Sequence, residues 1–178
     1  DRMESQRRTL TLWYGRLEGQ LARHWPEATH TLGLTSGVLL RCLATYGGPA
    51  GLVADDAAFD QLRRWGRGQL SQEKGEQLLS GARHSVGVRQ SSITVRRLQE
   101  YAEQALECRE AVAASRKQLQ VLTADHAVIQ SQAAAVGEVT ASVLWVYLGD
   151  PRGYDSGFAY RKAMGLNLKV RSSGKFKG

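Results

Sequence analysis

Cysteine is scarce in this sequence, with only Cys42 and Cys108 among 178 residues. The two lie far apart, each within an apolar helical pattern, so buried free thiols of a cytosolic protein are expected rather than a disulfide. The four histidines, His24, His30, His84 and His126, show no ligand spacing to one another or to the cysteines. A structural zinc site is therefore not expected. No run of about 18 consecutive apolar residues occurs, which excludes a helical membrane span. No short apolar stretch follows a basic N-terminus, so no secretory signal is expected either. Strand-like alternation of polar and apolar residues is also rare, and this points to an all-α fold.

Helical periodicity is what the sequence does contain. In the segment 4–24, Leu10, Trp13, Tyr14, Leu17 and Leu21 recur at three- and four-residue steps and share one face. Pro26 is expected to end this helix. The longest periodic stretch is 92–123, where Leu98, Ala105, Val112 and Leu119 stand seven apart. Tyr101, Cys108, Ser115 and Leu122 each follow by three. This is a heptad seam, and it allows either antiparallel pairing with the first helix or pairing between two copies of the chain. Between the two long helices lies an insert of short helices, about 25–90. Ser36 is a candidate N-cap there, Gly47-Gly48-Pro49 a break, and Phe59, Leu62 and Trp65 one apolar side. The expected organisation is a coiled-coil region with a helical insert over 1–124, followed by a small helix-hairpin-helix-like domain over 125–178.

That second segment has its own character. A helix is expected over about 125–135, a turn at Gly137, and an apolar, buried helix over about 138–148. Gly149-Asp150-Pro151 stops it, and a last helix over about 155–164 ends at Gly165. Charge is concentrated at this end. The chain carries +7 in total, and Arg161, Lys162, Lys169, Arg171, Lys175 and Lys177 follow Asp155 without one acidic residue among them. The remainder is almost neutral. Such a basic segment is an electrostatic footprint for a polyanion.

Two elements here could carry chemistry. In Val136-Gly137-Glu138-Val139-Thr140-Ala141, a glycine turn precedes a helix whose free N–H groups could hold a DNA phosphate without reading sequence. In Arg171-Ser172-Ser173-Gly174-Lys175, a hydroxyl sits on an uncrowded backbone among cations. A serine so placed can attack a phosphodiester if its proton is removed, with the cations stabilising the charge that develops.

A long paired helix, a hairpin near Gly137, an apolar helix ending in Gly149-Asp150-Pro151, the Gly165-Leu166 pair and then Ser-Ser-Gly-Lys follow one another in order. This order resembles the insertion-sequence transposases related to the Piv-type DNA invertases, also called bridge-RNA-guided recombinases. The resemblance covers 125–178 closely, most specifically 136–174, and the coiled-coil region by position and helicity.

It implies a two-part active site. An acidic RuvC-like domain holds magnesium, and a serine, here Ser173 with Ser172 its less favoured neighbour, joins covalently to DNA. Gly137, Thr140, Arg161, Lys162, Lys169, Arg171, Lys175 and Lys177 are then the nucleic-acid-binding residues. The partners implied are DNA, a structured guide RNA and a second copy of the chain through the coiled coil, in a bacterial cytoplasm. The sequence departs from the pattern in three places. Ala135 replaces the first hairpin glycine, no acidic domain is present, and the Thr-Lys-Arg-Gly-type stretch expected after the serine is missing. The chain thus reads as a fragment without a cofactor of its own, expected to bind DNA but not to cut it. A non-enzymatic helix-hairpin-helix module on a coiled-coil arm, and a helical scaffold with a solubilising basic tail, are the alternatives.

Overall fold

The computed structural model describes residues 2–165. Among them the chain is all-α, with no strand. The helices are α1 (Arg2–His24), α2 (Pro26–Thr31), α3 (Gly37–Tyr46), α4 (Pro49–Val53), α5 (Ala58–Gly66) and α6 (Gln72–Arg83). They continue with α7 (Ser92–Thr123), α8 (Ala127–Val136), α9 (Glu138–Leu148) and α10 (Gly157–Ala163), with a 3-10 turn at Pro151–Gly153. None of the described helices is long and apolar enough to cross a membrane. The chain divides into two compact units, and the division falls inside α7, after Ala114.

The first unit is built on leucine. Leu17, Leu21, Leu39, Leu40, Leu43, Leu52, Leu62, Leu78 and Leu98 are all fully buried, together with Trp25 and Cys42. Each such leucine contributes about 1.5–3 kcal/mol relative to an exposed one. The α1 face read from the sequence is the face that packs: Leu17 and Leu21 lie in the core, with Leu10, Trp13 and Tyr14 against it. Pro26 plays a different part from the one expected. It opens α2 at its first position, where a missing N–H costs nothing, and α1 has already ended at His24.

Ser36 caps α3 as its side chain predicts, accepting from the Leu39 N–H at 3.5 Å. Gly47 ends the helix at φ 67°, a left-handed conformation that suits glycine. A Cβ there would also lie 2.5 Å from a methyl of Val95. The start of α7 therefore rests directly on this corner. Gln90 Nε2 donates to the Gly47 carbonyl and Gln99 Nε2 to the Thr45 carbonyl, each at 3.1 Å.

Helix α7 runs antiparallel to α1. Val88 N–H donates to Arg23 O at 2.9 Å. Further along α7 the rings of Tyr101 and Trp13 lie 5.5 Å apart, with the Arg16 guanidinium 4.5 Å from the Trp13 ring. Leu98, Ala102 and Ala105 are completely buried along this half of the helix. The seam then loses its cover: Leu119 is partly exposed and Leu122 is 81% exposed. The first half of the heptad pattern thus serves an intrachain contact.

The segment between α6 and α7 is strapped to the end of α1 by polar contacts. His24 Nδ1 lies 2.7 Å from the Val88 carbonyl, and the Glu27 carboxylate accepts from Val86 N–H at 2.9 Å and from the Ser85 hydroxyl at 2.8 Å. Burial raises the Glu27 pKa, but hydrogen bonds from Val86, its own backbone N–H and Ser85, with the nearby His30 charge, outweigh it. The net value falls below the ordinary 4.5. A carboxyl depressed on folding adds stability that is complete above its unfolded value and is lost as the pH falls through the folded one. Glu27→Gln should therefore be less stable than the wild type at about pH 6, with the gap closing towards about pH 3. Urea unfolding across that range measures it; a gap independent of pH would remove the carboxylate from this role.

Candidate nucleic-acid interface

The second unit begins with the last turns of α7. Thr123 is buried there, its hydroxyl 2.9 Å from Leu119 O and 3.1 Å from Glu138 Oε1, so one proton is shared between two acceptors. Gln130 Nε2 donates to the Thr123 carbonyl at 2.9 Å. His126 caps α8, its Nδ1 accepting from Ile129 N–H at 3.3 Å, and its ring meets Trp145 of α9 edge-on at 4.3 Å. That cap requires the Nδ1 lone pair, so the proton of the neutral ring sits on Nε2.

Gly137 alone joins α8 to α9. It closes α8 through its N–H to Ala133 O and opens α9 through its carbonyl to Ala141 N–H, each at 2.9 Å. Its backbone lies at φ 81°, ψ 152°, a region open essentially to glycine. The glycine turn between two helices expected from the sequence is present. The first turn of α9, however, already holds an anion. Glu138 stands there with its carboxylate held by Thr123, complementing the positive end of the helix. A DNA phosphate arriving at this end would meet that charge. Thr140 is exposed in the same turn.

Beyond α9, the chain is pinned back by short-range contacts. Asp150 caps the 3-10 turn by accepting from Arg152 N–H at 2.9 Å and pairs with the Arg152 guanidinium at 2.7 Å. The Arg152 hydrogen bonds hold the Asp150 carboxyl below its usual range. The Tyr154 hydroxyl donates to Leu148 O at 2.8 Å, and its ring packs edge-on against Tyr160 at 5.0 Å. Tyr160 in turn joins α10 to α8, its hydroxyl accepting from Gln132 Nε2 at 3.0 Å. Ser156 caps α10, and Gly165 at φ 79° ends the segment as expected.

One expectation needs correction. The apolar composition of α9 leads to an expectation of burial, yet Val146 is 75% and Tyr147 70% exposed, and only Ala141 and Ser142 are buried. Among the described residues α9 packs mainly against α8, with the end of α7 touching its first turn. Apolar residues around the whole helix circumference exceed the area those neighbours can cover.

The cations expected to bind nucleic acid divide into two groups. Arg161 and Lys162 are exposed on α10, Arg161 donating through Nε to Gly157 O at 3.3 Å; among the described residues neither has a carboxylate partner. No described hydrogen bond or ion pair joins either of them to Gly137 or Thr140. Lys169, Arg171, Ser172, Ser173, Lys175 and Lys177 lie outside the described residues. Among the described residues no group of three or more His, Cys, Asp or Glu side chains could hold a metal ion. Cys42 is no nucleophile, because burial pushes its thiol up to about 12 and leaves it protonated. Sequence reasoning missed the Thr123–Glu138 tie and the His126 cap. A histidine one residue before an apolar helical run was the available signal for the latter.

No known protein family, curated protein or solved structure matches this chain.

Replacing Gly137 by alanine isolates the backbone requirement, since nothing lies within 4 Å of an added Cβ. Gly137→Ala should destabilise the second unit by about 1–3 kcal/mol. Amide hydrogen exchange along α8 and α9 measures this, and unchanged protection would mean that the turn relaxes at no cost.

Proposed function

We propose that this chain is the coiled-coil and serine-bearing part of a bacterial DNA transposase, in which Ser173 attacks a DNA phosphodiester to cut and rejoin strands. The single observation that supports this reading best is a continuity of charge. Arg161 and Lys162 are exposed on α10 and pair with no carboxylate among the described residues, and in sequence they are followed by the basic Ser172-Ser173-Gly174-Lys175 stretch. The glycine turn at Gly137 between α8 and α9, preceding that stretch, is the second support.

In this proposal the chain's cations hold the phosphodiester, and Lys175 and Arg171 stabilise charge on the phosphorus oxygens as Ser173 Oγ bonds to phosphorus and the leaving strand departs. Magnesium and the group that takes the serine proton come from an acidic RuvC-like domain. DNA and a structured guide RNA are the proposed partners, and the site of action the bacterial cytoplasm. The α8–α9 turn serves as a sequence-indifferent phosphate contact through Gly137 and Thr140, weakened by Glu138.

The decisive experiment supplies the acidic domain in one polypeptide with this chain and follows strand exchange on nicked DNA. Ser173→Ala should abolish both exchange and the covalent protein–DNA adduct, whereas Ser172→Ala should leave both. Undiminished exchange without the Ser173 hydroxyl rejects the proposal. If DNA is bound with steep salt dependence and no adduct ever forms, the chain is instead a non-enzymatic binding module.

The proposed homodimer uses the half of the α7 seam that no described helix covers, around Leu119 and Leu122. Leu119→Asp should shift the solution mass towards the monomer, read by light scattering. An unchanged mass would leave that half of α7 without a self-pairing role.

A further inference from the structure

Two arginines from distant parts of the sequence meet at one point of the first unit. Arg41 of α3 and Arg109 of α7 both bring their guanidinium groups close to Gly37: a Cβ on that glycine would lie 3.7 and 3.8 Å from the two terminal nitrogens of Arg109 and 3.8 Å from Nη1 of Arg41. Arg109 donates to the Thr35 carbonyl and hydrogen-bonds the Tyr14 hydroxyl, while Arg41 donates to the Trp65 carbonyl at 3.5 Å. These contacts fix each side chain but use few of the five N–H donors that a guanidinium carries. Both side chains are partly buried, and among the described residues neither is in an ion pair.

We propose that Arg41 and Arg109 form an oxyanion site that binds a phosphate group beside Gly37. Two like charges held together in a partly desolvated place repel unless an anion lies between them. A tetrahedral oxyanion matches the planar donor forks of two guanidinium groups better than a single lysine-type point charge would. A Cβ at position 37 would already stand in contact with both guanidinium groups, so a larger side chain there would push into them. The phosphate has two possible sources, a phosphodiester of a nucleic-acid strand or a free phosphate species, and the chemistry of recognition is the same for both. This site stands apart from the serine reading and does not depend on it.

The full chain is titrated with inorganic phosphate, and separately with a short single-stranded oligodeoxynucleotide, at constant ionic strength. The arginine Nε–H signals are followed by NMR. Phosphate or the oligonucleotide should shift the Arg41 and Arg109 signals saturably, and Arg41→Gln should weaken that binding about tenfold or more, the loss of about 1.4 kcal/mol. A response to the oligonucleotide alone identifies the source as a nucleic-acid backbone, and a response to phosphate alone identifies a free phosphate species. Gly37→Val provides a second variant that keeps both charges and presses its methyl groups between the two guanidinium groups, and it should block binding with the near-ultraviolet circular dichroism unchanged. Absent shifts with both probes, or equal affinity in Gly37→Val, would overturn the site. Ser173→Ala should leave every one of these readings as in the wild type.

Discussion

The fit of the leading half of α7 against a leucine core is the constraint on which the rest of the first unit depends. Leu98, Ala102 and Ala105 are completely buried on its core side. That fit brings Tyr101 onto Trp13, places Arg109 beside Tyr14, and lets Gln99, with Gln90 just ahead of the helix, reach carbonyls at the α3–α4 corner. Each of these polar contacts is weak alone. Together they fix the rotation of α7, because a helix turned about its axis would lose all of them at once and expose its alanine stripe.

The second unit follows another economy. Few of its described large apolar side chains are buried, and the described contacts are largely short-range polar devices: the His126 cap, the Thr123 hydroxyl, the Asp150–Arg152 pair and the Tyr154 tether to Leu148. Such devices define local geometry without adding much cohesive energy. A unit of this kind retains apolar surface, as Val146, Tyr147 and Phe158 show.

Helices were legible wherever periodicity was strong. The α1 face, the full extent of α7, the Ser36 cap and the glycine stops were all written in local spacing, because three- and four-residue recurrence is imposed by the helix itself. The α6–α7 strap was not legible, since Glu27 and Val86 are brought together only by the folded path between them. The meeting of Arg41 with Arg109 was hidden for the same reason. The exposure of α9 was misread because apolar composition reports what a helix could bury and says nothing of how much partner surface the fold provides. Of the expected nucleic-acid residues, Gly137, Thr140, Arg161 and Lys162 lie among the described residues, while the serines and the remaining cations lie outside them.

The two cysteines differ in a way that makes the molecule its own reporter. Cys42 is wholly enclosed and its sulfur stays protonated, so alkylating agents have no route to it while the fold is intact. Cys108, partly open on α7 near Trp13, is the one thiol that a maleimide dye can reach. A dye attached there would lie within quenching range of an indole carried by α1. Separation of the two helices would then be visible as a gain in fluorescence, and subsequent labelling of Cys42 would mark the opening of the leucine core itself.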